Sequence, residues 1–69
     1  MNIEKALKAA RYFGTEAAAN QRKNIMATDR EDIAGYYGVA RWSDISEEDR
    51  DNLVKAFYEG MAAERKNYS

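Results

Sequence analysis

The residues with chemistry to offer are acids and aromatics gathered in the middle of the chain. They are Glu31, Asp32, Asp44, Glu47, Glu48 and Asp51, with Tyr36, Arg41 and Trp42 among them. Carboxylates serve as general acids and bases, as ligands for hard cations, or as the charged rim of a contact. The first use needs two carboxyls on one face beside a pocket, whereas Glu31/Asp32 and Glu47/Glu48 are chain neighbours that diverge on a helix. The second fails on spacing. Residues 44–55 offer oxygens at alternate positions like a calcium loop, but Asp49 stands where the turn glycine belongs and Lys55 where the bidentate glutamate belongs. Histidine and cysteine are absent, so Ser43 and Ser46 have no activating base, and no glycine-rich phosphate loop occurs. These residues predict no catalytic, cofactor or metal site, and a protein that is not an enzyme. Recognition remains. Tryptophan, tyrosine and arginine are the types most enriched at binding hot spots, and surrounding acids steer a basic partner.

The formal charge of −1 conceals a division along the chain. Residues 1–27 carry Lys5, Lys8, Arg11, Arg22 and Lys23 against Glu4 and Glu16, a net +3. Residues 28–51 carry eight acids against Arg30, Arg41 and Arg50, a net −5, and the remainder carries +1. Helix capping alone accounts for acids in first turns, where they face the positive end of the macrodipole. The functional reading is that the acidic stretch docks on the basic surface of a larger protein or protein complex. Trp42 divides in the same way between plugging a small core and anchoring a contact. Lys5, Lys8 and Arg11 are sparse and interleaved with alanine, which predicts a solvated face.

Positioning these groups falls to helices. No proline is present, glycine occurs only at 14, 35, 38 and 60, and strong helix formers dominate. The series Ile3, Ala6, Leu7, Ala10, Phe13 and Ala17 lines one helical face, with Asn2 as its cap. Gly14-Thr15 reads as a stop and new cap or as a weak spot; the preferred reading is one helix over 3–26, with Gly14 as the place for a kink. Thr28 and Glu31 have capping-box spacing, predicting a helix over 29–37 that closes at Gly38. Ser46 and Asp49 repeat that arrangement ahead of Leu53, Val54, Phe57, Tyr58 and Met61, predicting a last helix over 47–66 and a polar tail of Asn67, Tyr68 and Ser69.

The expectation is an all-α bundle of three to four helices forming one domain over residues 1–69. Its predicted core is Ile3, Leu7, Ala10, Phe13, Ile25, Ile33, Tyr37, Val39, Trp42, Leu53, Phe57 and Met61. The alanines of 9–19 reflect helix propensity first and close helix approach second. No apolar run exceeds three residues and no secretory hydrophobic segment follows Met1, which predicts a soluble, cytoplasmic chain with no membrane contact. Domains of this size draw only ~3 to 5 kcal/mol from one core, so self-association into a homo-oligomer stays open.

Residues 30–41, from Arg30 through Ile33-Ala34 and Gly38-Val39 to Arg41, resemble the helix-turn-helix family of DNA-binding proteins. Ala34, Gly38 and Val39 match the family's close-packing, turn and anchor positions, which implies a transcriptional regulator using 30–46. The match stops at Asp44, where the family has an apolar residue, and Glu47, Glu48 and Asp49 would repel phosphates. Nucleic acid thus ranks below protein as a partner. In its small size, divided charge and lack of catalytic groups the chain is also similar in style to accessory proteins of bacteriophages and mobile elements. That likeness implies a modulator or inhibitor of a host complex.

Overall fold

The computed structural model describes residues 2–67. Helix α1 spans Ile3–Ala19, α2 spans Ala27–Tyr37 and α3 spans Glu47–Asn67, with a 3-10 turn at Trp42–Asp44. Over the described residues the protein is an all-α three-helix bundle. Its direction can be traced through hydrogen bonds. The Asn2 amide donates to the Tyr37 carbonyl (2.9 Å), and the Tyr37 hydroxyl donates to Asp49 (2.6 Å). The start of α1, the end of α2 and the start of α3 therefore share one end. Thr15 donates to the Gly60 carbonyl (3.5 Å) and Arg65 to the Arg22 carbonyl (3.3 Å), so α1 and α3 run parallel with α2 returning against both.

Each helix end has a local cause. Asn2 Oδ1 accepts the Lys5 amide (3.0 Å), as its side chain type predicts. Helix α1 stops at Ala19 rather than continuing to 26. Gln21 adopts φ 62°, the Arg22 amide reaches back to the Ala17 carbonyl (2.8 Å) and the Gln21 amide to Ala18 (2.9 Å). These are the paired bonds of a Schellman closure, which glutamine occupies here in place of the usual glycine. The absence of glycine is why composition concealed this stop.

Helix α2 begins two residues earlier than predicted, and by a different device. Asp29, not Glu31, reaches back to the residue before the helix, accepting the Met26 amide (2.9 Å). The same carboxylate oxygen pairs with the Arg22 guanidinium, so a buried acid joins the α1–α2 turn to the first turn of α2. Glu31 is thereby released from capping and accepts the Trp42 amide instead (3.4 Å). At the other end Gly38 has φ 101°, a left-handed geometry that glycine adopts without a Cβ penalty. Ser46 caps α3 as expected, its hydroxyl accepting the Asp49 amide (3.3 Å).

The core centres on Phe57, Ile33, Leu53 and Met61, all fully buried, but small residues surround them. Ala6, Ala10, Ala17, Ala34 and Ala56 are buried, as is Ile45. Of the predicted core, Ile3, Leu7, Phe13, Ile25, Val39 and Trp42 sit half-buried at its margin. Close backbone approach explains the exchange. A Cβ on Gly14 would lie 1.9 Å from the Phe57 carbonyl oxygen, and one on Gly60 would lie 2.2 Å from that of Arg11. The two helices thus touch backbone to backbone, leaving room between them for alanines and pushing bulkier side chains outward. Gly14 is neither a stop nor a cap; it lies buried within α1.

Candidate functional site

The connection across 38–46 carries Trp42 back over α2, and the Glu31–Trp42 hydrogen bond fixes it there. Glu31, Arg41 and Trp42 then line one open cleft of about 480 Å³ together with Ala27, Arg30 and Ser43. Trp42 is half-buried, with part of its surface in the core margin and part facing the cleft. Three of the sequence-predicted binding residues therefore converge. Arg30 joins them because it and Glu31 both lie one turn beyond Ala27 on α2, and neither Arg30 nor Arg41 is in an ion pair among the described residues.

The remaining acids do not line this cleft. Asp44 ends the turn that holds Trp42, Asp32 follows Glu31 on α2, and Glu47, Glu48 and Asp51 occupy the opening turns of α3. All five are exposed and none forms an ion pair among the described residues. Asp49 differs. Its carboxylate takes the Tyr37 hydroxyl, and that hydrogen bond, followed by burial, raises the Tyr37 phenol above its ordinary value of 10.0. Asp29 and Asp49 therefore hold the fold, while their neighbours face solvent.

Tyr36 is not part of the Trp42 cleft. Five residues separate it from Glu31, a rotation that leaves the two about 140° apart around α2. It lines a second groove of about 280 Å³ with Lys5, Lys8, Ala9, Tyr12 and Phe13. The Phe13 ring meets Tyr12 and Tyr36 edge-on at centroid distances of 5.9 and 6.0 Å, and Lys5 Nζ lies 5.9 Å over the Tyr36 ring. Tyr12 is 60% exposed, and its phenol is raised by a hydrogen bond to Glu16 and by that residue's charge. Lys5 and Lys8 are exposed, as the solvated face expected of them requires. Their spacing with Tyr12 marks one helical stripe, but Tyr36 joins it only through the packing of α2 on α1. Tyr68 lies outside the described residues.

Among the described residues no group of three or more acids is placed to hold a metal ion, and no helix is long and apolar enough to cross a membrane. Among the described residues, the fold and these grooves define the class: a small three-helix domain with a cleft lined by Trp42, two arginines and Glu31 on one flank of α2 and a lysine-edged aromatic groove on the other. No protein-family model, curated protein or solved structure matches the chain.

Proposed function

We propose that this domain is a non-enzymatic binding module that docks on a larger protein or protein complex with a basic surface and modulates or inhibits it. The bacteriophage and mobile-element accessory proteins resembled in style offer the pattern for such a role. One observation carries the reading: Trp42 and Arg41 share an open cleft with Glu31, and the acids Asp32, Asp44, Glu47, Glu48 and Asp51 are exposed and without ion-pair partners among the described residues. An aromatic and an arginine in a concave site supply contact energy, while exposed unpaired acids on the same domain speed and orient encounter with a cationic surface.

The test is capture from extracts of the source cell on immobilised wild-type protein, beside the variant Glu47→Lys/Glu48→Lys/Asp51→Lys. A protein retained by the wild type, released by salt and lost with the variant supports the reading. Equal retention on both counts against the acidic surface. A parallel titration with duplex DNA covers the regulator alternative: micromolar binding with a steep salt slope would replace the protein partner by nucleic acid.

A further inference from the structure

We infer that the groove between α1 and α2 receives residues 42–51 of a second copy of this chain, so that copies associate head to tail. The groove has a half-buried aromatic floor in Phe13, exposed aromatic walls in Tyr12 and Tyr36, and the ammonium groups of Lys5 and Lys8 along its edge. Neither lysine is in an ion pair among the described residues. The matching ligand is a carboxylate-rich segment with an aromatic edge beside it. This chain carries such a segment in the exposed Asp44, Glu47, Glu48 and Asp51, next to the solvent-facing edge of Trp42, whose remainder stays packed against its own core.

The two surfaces cannot meet within one molecule, because Tyr36 and Glu31 face opposite flanks of α2. Pairing them joins different patches on different copies, which is a heterologous contact. A nucleic acid strand is the other occupant with a stacking body and negative charge, but the net −5 of residues 28–51 would repel its phosphates. The inference rests on the proposed reading in treating the acidic, aromatic segment as a contact surface. It does not require the larger partner.

Sedimentation of the purified full chain at about 50 mM and about 500 mM salt tests it, since ionic screening weakens a contact between exposed charges. The expected result is a mass that rises with concentration at low salt and returns to the monomer value at high salt. Lys5→Glu/Lys8→Glu and Glu47→Lys/Glu48→Lys/Asp51→Lys should each stay monomeric alone. Their equal mixture should associate again, to at least twice the monomer mass, because each supplies the surface the other lacks. Helicity is checked by circular dichroism, and Glu47→Gln/Glu48→Gln replaces the lysine variant if that one unfolds. A wild type that stays monomeric at low salt overturns the inference, as does a mixture that fails to pair or a lysine variant that associates like the wild type. Wild-type binding of a single-stranded oligonucleotide, lost in Lys5→Glu/Lys8→Glu, would also overturn it. A monomeric wild type that still retains a captured protein in a charge-sensitive way sinks this inference alone.

Discussion

Replacing glycine by alanine should destabilise this small protein at Gly14 and Gly60 and stabilise it at Gly35. At Gly14 the added Cβ would sit 1.9 Å from the Phe57 carbonyl oxygen, and at Gly60 2.2 Å from the Arg11 carbonyl oxygen. Ordinary contact begins near 3.4 Å, so α1 and α3 would have to separate by more than an ångström. Both obstacles are backbone, and no side-chain rotation relieves them. Overpacking of this kind costs about 3 kcal/mol, offset by about 1 kcal/mol of improved helix propensity, a net loss near 2 kcal/mol for either variant. For a domain of this size that lowers the melting temperature by about 8 to 16 °C. At Gly35, exposed in α2, an added Cβ meets nothing within 4 Å, and the same change should stabilise by about 0.5 to 1 kcal/mol. Thermal and urea unfolding followed by circular dichroism reads all three. Gly14→Ala and Gly60→Ala proteins as stable as Gly35→Ala would refute the close approach of α1 and α3.

Asp29→Ala removes both the cap on α2 and the partner of Arg22, and should lower stability by about 2 kcal/mol in urea unfolding, whereas Asp32→Ala, exposed one turn away, should change it by less than about 0.5 kcal/mol. Tyr37→Phe should lower the urea midpoint at neutral pH by deleting the bond to Asp49. Because the folded-state phenol is raised above 10.0, the Tyr37 contribution is fully present below that value and is lost as pH rises through the higher folded-state pKa. Stability measured from about pH 9 to about pH 11 should therefore decline more steeply for the wild type than for Tyr37→Phe, and equal slopes would refute the coupling. The charge-reversal capture and the mixed-variant sedimentation described above complete the set.

What lay open to reading in the amino acids was the part governed by local rules. Propensity and periodicity specified an all-α chain, and the Asn2 cap, the Ser46 cap and the Gly38 closure fell at their expected places because each is satisfied within a few residues. The exposed acids from Asp32 to Asp51 were legible as well, since charge seeks solvent whatever the topology. Tertiary contacts decided the rest. Glutamine at position 21 carries no stop signal, and the turn there is joined to other elements by the Arg22–Asp29 pair, the Arg65 hydrogen bond and the Tyr58 hydroxyl on the Ile25 amide. The core turned to alanine because Gly14 and Gly60 bring two backbones together, Gly14 against Phe57 and Gly60 against Arg11, approaches between positions more than 40 residues apart that helical spacing cannot encode. The packing of α2 on α1, in turn, gave Tyr36 to Lys5 and Tyr12. Local sequence sets which way a side chain points from its own helix, but only the helix packed beside it determines what that side chain faces.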